Sequence, residues 1–311
     1  MQLGIFIPGR LASERLPNKL ILPLGESCLW EMACKKLNKL PNKYNKYALC
    51  YDQELIDIAK KYPNIKIIER SKKTAHVDGP LTYIFKELQE VEDTHLMFLN
   101  PCLSFLTKET IINSLEQFNK MGKDYATSVK KYQNWLFTKD VKCLTKINYE
   151  RLTTKEIPTY YEAAHCFHIF NKNLFFQNGQ MLVRDHGIIE IPKEETIDVD
   201  TVQDYEFARW KHSKKYVIDI DNTICYNNSS NTLDYNKAKP IKENIKKVNH
   251  LYNAGNIIWF YTARGTETGI DWEEVTKNQL KEWKVKYHKL LFGKPSADVY
   301  VDDKALNIKD W

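Results

Sequence analysis

Tyr216-Val217-Ile218-Asp219-Ile220-Asp221-Asn222-Thr223 is a short apolar run that ends in two carboxylates one residue apart, followed by a hydroxyl. Such a run reads as a strand of a parallel sheet, packed on both faces. Its polar end then falls at the carboxyl edge of the sheet, where open α/β sheets place their ligands. Two acids in one mouth repel each other unless a cation or a shared proton compensates. One can attack phosphorus and the other can shuttle a proton, with Mg²⁺ between them. The string also fits a polar turn after a buried strand, so residues further down the chain must decide between the two.

Ile257-Ile258-Trp259-Phe260-Tyr261 is a second apolar run, and it ends at Thr262, whose hydroxyl suits a phosphate oxygen. Lys294 follows Leu290-Leu291-Phe292-Gly293 and can neutralise phosphate as a point cation. Val299-Tyr300-Val301 ends at Asp302-Asp303, a second acidic pair for a hard, oxygen-seeking metal. Each polar residue follows a strand-like segment, so the spacing predicts that all four meet along one sheet edge. The order D-x-D-x-T, Thr, Lys, Asp-Asp resembles the four motifs of the haloacid dehalogenase superfamily, over about Lys214 to Trp311. The ending Val301-Asp302-Asp303-Lys304-Ala305-Leu306 looks most like its small capsule-biosynthesis phosphatases. The resemblance implies that Asp219 attacks phosphorus and that Asp221 protonates the leaving oxygen and then activates water. Thr262 and Lys294 would hold phosphoryl oxygens, and Asp219, Asp221, Asp302 and Asp303 would hold Mg²⁺. The spacings leave no room for a cap domain, and the polar segment Cys225 to Lys239 is expected to form a flap.

Towards the amino end, Leu3 to Ile7 reads as a buried strand broken by Pro8-Gly9. The loop from Gly9 to Lys19 then places Arg10, Arg15 and Lys19 within ten positions. A strand feeding a cationic loop supplies what a triphosphate needs: backbone donors, with Arg and Lys for the anionic oxygens. Charge spacing alone is also met by a lysine-rich surface loop. Leu29, Met32, Ala33, Leu37 and Leu40 recur at helical spacing and predict one apolar stripe. Tyr47 to Tyr51 and Ile65 to Ile68 read as further strands, with a helix opening at Asp52 between them. His95 to Leu99 is a strand that leads into Asn100-Pro101-Cys102 and a helix starting at Thr107. In Asp198-Val199-Asp200 the period of an extended chain puts both acids on one face, where they can reach one Mg²⁺. Helix capping with surface carboxylates is the other reading there, and Asp204 is assigned to the start of the next helix.

Ile5-Phe6-Ile7-Pro8-Gly9-Arg10, with Ser13, Arg15, Pro17 and Lys19, is similar to the opening signature of the sugar-activating cytidylyltransferases. These include the 3-deoxy-octulosonate, N-acylneuraminate and spore-coat polysaccharide families, which usually have Ala where this chain has Gly9. The acidic stretch from Ile197 to Asp204, running into a helix, resembles the close of such domains. The likeness implies that Arg10, Arg15 and Lys19 hold the phosphates of CTP, Lys19 easing pyrophosphate departure. Asn100 would contact ribose or phosphate. Arg70 is a cytidine-side candidate or a surface ion-pair partner, beside a loop at Ser71 to Pro80 that would close over the nucleotide. Arg151, Lys155 and Glu162 lie where related enzymes read the acceptor, and the loop from Gln177 to Gly187 could line its pocket. A homodimer is implied by the same likeness. His165 and His168 fall on opposite faces of a regular strand, which makes them core or rim residues.

Composition sets the outer bounds. The 311 residues allow two ordinary domains, and 43% apolar with 28% charged residues is usual for a soluble globular protein. The net charge of +6 comes from scattered lysines without a basic stripe. It therefore points to anionic small substrates, such as nucleotides and sugar phosphates, and away from nucleic acid. The seven cysteines show no C-x-x-C spacing, which argues against a zinc site or disulfide framework and fits a reducing cytoplasm. No apolar stretch reaches the roughly 18 residues of a membrane span, and the amino end lacks the features of a signal peptide.

The expected architecture is α/β. A nucleotidyltransferase Rossmann-like domain over 1–211 precedes a small haloacid dehalogenase-like Rossmannoid domain over 214–311, with a connection too short to act as a free linker. The expected activity is bifunctional: Mg²⁺-dependent CMP transfer from CTP to a sugar, sugar acid or sugar phosphate, and phosphomonoester hydrolysis. A nucleotide-sugar glycosyltransferase, or an inactive scaffold, is the alternative for the first domain.

Overall fold

The structure is a computed structural model that describes residues 2–76, 79–227 and 234–311. It divides into two compact units, Met1–Leu22 with Ser27–Tyr205, and Pro23–Glu26 with Glu206–Trp311. The boundary falls inside a helix, a few residues before the connection read from composition.

The first unit runs β1 (Leu3–Pro8), α1 (Leu29–Asn38), β2 (Asn45–Cys50), α2 (Gln53–Ala59), β3 (Lys66–Glu69), and the one-turn α3 (Lys72–Ala75) and α4 (Leu81–Ile84). It continues through β4 (His95–Leu99), α5 (Lys108–Met121), β5 (Ala126–Tyr132), β6 (Tyr160–Asn171), α6 (Lys172–Asn178), β7 (Gly187–Glu190) and the start of α7 (Val202–His212). Among the described residues these strands form one sheet in the order β3-β2-β1-β4-β6-β5-β7. β1 pairs in parallel with both β2 and β4, and β6 runs antiparallel to β4 and β5. The chain therefore winds outward in one direction from β1 to β3 and returns to β4 on the other side. That reversal opens a crevice beyond the carboxyl ends of β1 and β4.

Burial explains why these segments pair. Ile5, Phe6 and Ile7 are fully buried, as continuous apolar strands in a covered sheet must be. Phe6 lies edge-on to Phe85, Phe98 and Phe170, which centres the core on β1. In α1 the buried face is Leu29, Trp30, Ala33, Cys34 and Leu37, so Trp30 takes the place that the stripe assigned to Met32. Thr107 caps α5 through Thr110 N, as placed from sequence, and Gly122 ends that helix in the left-handed region.

The second unit contains the rest of α7, then β8 (Lys215–Ile218), β9 (Cys225–Tyr226), β10 (Lys239–Pro240), α8 (Lys242–Asn253), β11 (Ile257–Tyr261), α9 (Glu273–Glu282) and β12 (Lys289–Leu291). Among the described residues β12-β11-β8 form a parallel sheet, and β9 pairs antiparallel with β10. Ile218, Ile220, Val248, Ile258, Phe260 and Leu280 make up its core.

One strand expectation fails. Val299-Tyr300-Val301 pairs with nothing in the sheet, and Val299 and Val301 are largely exposed. A local turn wins instead: the Tyr300 hydroxyl donates to the Pro295 carbonyl, and Lys294 lies over the Tyr300 ring. The expected flap falls partly on residues 228–233, and the nucleotide-closing loop partly on residues 77 and 78, outside the described residues. Among the described residues no helix is long and apolar enough to cross a membrane.

Candidate active sites

The first unit gathers its polar residues at the β1/β4 crevice. Gly9 N donates to Leu49 O at 2.7 Å, and Leu11 N donates to Asp52 Oδ2 at 3.0 Å, so the cationic loop is tied to the end of β2. Asn18 adopts the left-handed conformation, and the chain then makes a single 3₁₀ turn over Lys19–Ile21. Lys19 Nζ donates to Asp200 Oδ1 at 2.5 Å, while Arg15 Nη2 lies 2.9 Å from Asp200 Oδ2. Burial opposes the charge on Lys19; its neighbours Cys102 and Asp200 outweigh that and push its pKa above the usual lysine value.

Val199 is fully buried and donates its N–H to Cys102 O, so Asp198 and Asp200 flank one anchored residue of an extended segment. Asp198 Oδ2 accepts from Asn100 Nδ2 at 2.9 Å, and its Oδ1 is buried with no hydrogen-bond partner. Burial and the Asp200 charge both raise the Asp198 pKa. Asn100 is itself held, its Oδ1 accepting from Cys102 N and its backbone N–H donating to Cys166 O. Asp204 and Thr201 exchange hydrogen bonds at the start of α7, a capping box that leaves Asp198 and Asp200 out of capping.

An orphaned buried oxygen beside a second carboxylate fits a hard cation. Among the described residues no cluster of three metal-ligating side chains occurs. Asp198 and Asp200 could hold such a cation if water or ligand oxygens supplied its remaining positions, as is usual for Mg²⁺.

Other expectations shift. Arg10 stands exposed two residues beyond the end of β1. Arg70 is only 6% exposed, and its Nη2 donates to the Thr74 and Ile84 carbonyls, so it is no surface ion-pair partner. Arg151 pairs with Glu156 and Glu162 with Lys130, all on or beside the segment joining β5 to β6. His165 has φ 52° at an irregularity of the β5–β6 pairing, and its ring lies 6.0 Å from that of His168. The expectation of opposite faces fails because one left-handed residue breaks the alternation, as bulges do. His168 hydrogen-bonds Thr127 Oγ1 at 2.9 Å, and burial, aided by His165 and His186, pushes its pKa down to about 4.

In the second unit the three strand ends deliver Asp219, Thr262 and Lys294 to one edge. Lys294 Nζ donates to Asp219 Oδ2 at 2.7 Å, and Ile220 N donates to Asp219 Oδ1 at 2.8 Å. Thr262 is fully buried; its hydroxyl accepts from Arg264 N, and its carbonyl accepts from Lys294 N. Asp221 is gripped by Arg264, Nε to Oδ2 at 2.9 Å and Nη2 to Oδ1 at 2.8 Å. The motif reading missed Arg264, although a cation two residues beyond the Thr262 strand end was a visible signal. Asp302 and Asp303 stand exposed outside the sheet, and Asp302 accepts from Lys304 N. Val299–Val301 forms no strand, so the pair does not reach the sheet edge as a strand end. Asp219 and Asp221 each pair with a cation, and all four of their carboxylate oxygens accept hydrogen bonds.

A cytidylyltransferase family model matches residues 5–258. No curated protein matches the sequence significantly. Among solved structures, the chain is similar to a CMP:2-keto-3-deoxy-manno-octonic acid synthetase complexed with CTP, at 13% identity and TM-score 0.49, covering 67% of this chain and 96% of that one. It is also similar to a 4-diphosphocytidyl-2C-methyl-D-erythritol synthase from Anaerococcus prevotii, at 13% identity and TM-score 0.47, covering 67% and 94%. A structural-genomics target from Vibrio cholerae matches 31% of this chain and 85% of its own, at 27% identity and TM-score 0.29. By the family match, which spans most of its length, the chain belongs to the cytidylyltransferase family.

Proposed function

We propose that the first unit transfers CMP from CTP to a sugar, sugar acid or sugar phosphate, and that the second hydrolyses a phosphomonoester, both in surface-polysaccharide precursor synthesis. The observation that carries the first part is the convergence of Lys19 and Arg15 on Asp200, next to Asp198 and its orphaned oxygen. An oxygen of the acceptor attacks the α-phosphorus, and the bond to the pyrophosphate oxygen breaks. Lys19 and Arg15 turn from Asp200 to the phosphates and stabilise the charge that grows on the leaving pyrophosphate. Asn100 orients Asp198. Bound Mg²⁺ would supply further neutralisation of phosphate charge at Asp198 and Asp200.

In the second unit Asp219 attacks phosphorus and forms an aspartyl-phosphate, with Lys294 holding a phosphoryl oxygen. Asp221 passes a proton to the departing oxygen and then takes one from the water that cleaves the intermediate. The pairing of Lys294 with Asp219 supports this reading. The scaffold alternative is disfavoured because Asn100, in the altered turn, is bound into the site. A glycosyltransferase is disfavoured because the D-x-D carboxylates face a cationic loop. Exposed Leu136, Phe137, Leu144 and Leu152, between β5 and β6, favour a homodimer. A CTP-consuming reaction fits a cytoplasmic location.

The test is incubation with CTP, Mg²⁺ and a panel of sugars, sugar acids and sugar phosphates, followed by pyrophosphate, free phosphate and nucleotide-mass measurement. Pyrophosphate released only with an acceptor, together with a new CMP- or CDP-linked mass, is the expected result. No pyrophosphate with any acceptor, alongside no CTP binding by calorimetry, would leave the first unit a scaffold.

A further inference from the structure

Arg264 makes more hydrogen bonds than closing a core requires. Its side chain is fully buried. All five of its N–H donors find acceptors: Nε and one Nη2 hydrogen on Asp221, the other Nη2 hydrogen on Cys225 Sγ at 3.4 Å, and both Nη1 hydrogens on Thr276 Oγ1 at 3.0 Å and Gln279 Oε1 at 2.8 Å. The guanidinium also lies 4.6 Å from the Tyr235 ring, and Gln279 Nε2 donates to Tyr235 O. One face of the fork is thus anchored to α9, and the other grips both oxygens of a single carboxylate.

We propose that Arg264 is a positioning residue that aims Asp221 at the leaving oxygen, an inference that rests on the phosphatase reading of the second unit. A carboxylate on a loop samples several rotamers, and proton transfer demands one of them. The two-point grip removes that freedom, because a planar fork bonded at both ends fixes direction as well as distance. The Cys225 thiol also approaches Asp221 Oδ1, at 3.6 Å, while Oδ2 keeps its second lone pair for the travelling proton. Lysine at this position would keep a positive charge and lose the second point of attachment. A purely structural ion pair, by contrast, would matter to folding and equally to every substrate.

The leaving group separates the two roles. A sugar 6-phosphate expels a basic alkoxide that needs a proton, whereas 4-nitrophenyl phosphate expels a weakly basic phenolate that does not. In the whole chain, Arg264→Lys should lower kcat/KM, which reports formation of the aspartyl-phosphate and not its hydrolysis, by about 100-fold for glucose 6-phosphate and by less than about 10-fold for 4-nitrophenyl phosphate. Thr276→Val, which removes one anchor and keeps the fork on Asp221, should show the same selectivity with a smaller loss. Melting curves of both variants check the fold. Equal losses on the two substrates, scaling with the melting temperature, overturn the positioning role and leave a structural pair. If the wild-type chain hydrolyses neither substrate in an Asp219-dependent way, the phosphatase reading falls, and the role of Arg264 with it.

Discussion

Lys19 Nζ lies 2.5 Å from Asp200 Oδ1, so the cation that we propose for the nucleotide phosphates is already held by a carboxylate. The pair stores the ammonium in a charged, oriented form at the crevice mouth. A triphosphate, with several anionic oxygens, outcompetes one carboxylate for it.

Lys19→Met should therefore lower the rate of acceptor-dependent pyrophosphate release by about 100–1,000-fold, the usual cost of one preorganised charge at a site of developing negative charge. The loss should fall mainly on kcat. A change confined to KM for CTP would make Lys19 a simple binding residue.

Asp219→Asn should abolish phosphate release, by more than about a thousandfold, while pyrophosphate release stays at the wild-type rate. Lys294→Ala should act in the same direction on the same activity. The two proposed reactions are assigned to separate residues, so loss of both in Asp219→Asn would contradict their assignment to different units.

A Cβ at Gly9 would stand 2.9 Å from Leu55 Cδ1 and from two ring carbons of Trp30. Leu55 can give way, but Trp30 is fully buried and its indole N–H is tied to Leu55 O at 2.9 Å. Gly9→Ala should cost about 1–3 kcal/mol of stability by chemical denaturation, as overpacking does. The alanine usual in similar signatures is thus disfavoured here by the tryptophan of α1.

The His168 pKa lies near 4, below its ordinary 6.5. Below pH 6.5 the unfolded chain takes up a proton that the folded chain refuses, so stability is full above that pH and is lost as the pH falls towards 4. The contribution is roughly 1–3 kcal/mol. Denaturation midpoints measured between pH 7 and 4 should decline less in His168→Gln than in the wild type; parallel declines would remove His168 as the cause.

Much of the fold, and the gathering of several candidate residues, was legible because strand ends announce themselves. Asp219, Thr262 and Lys294 each come after an apolar run, and parallel strands bring such ends to one edge. The shared side of Asp198 and Asp200 came from a period of two around buried Val199. Pairing partners were not legible: Val299-Tyr300-Val301 has strand composition, yet composition cannot say whether a neighbour or a local turn will take it. A left-handed residue inside a strand leaves no trace in an alternating pattern, which is why the meeting of His165 and His168 was unforeseen. Arg264, two residues beyond Thr262, was passed over because the four-motif order has no place for an arginine there.

β8 and β12 each leave one flank unpaired among the described residues, and their lysines, Lys215 and Lys289, both lie over the ring of Trp259 on the strand between them. Both ammonium groups are thus drawn inward from the outer strands and cover the indole of the middle one. Charge gathered on that face discourages a second sheet from stacking there.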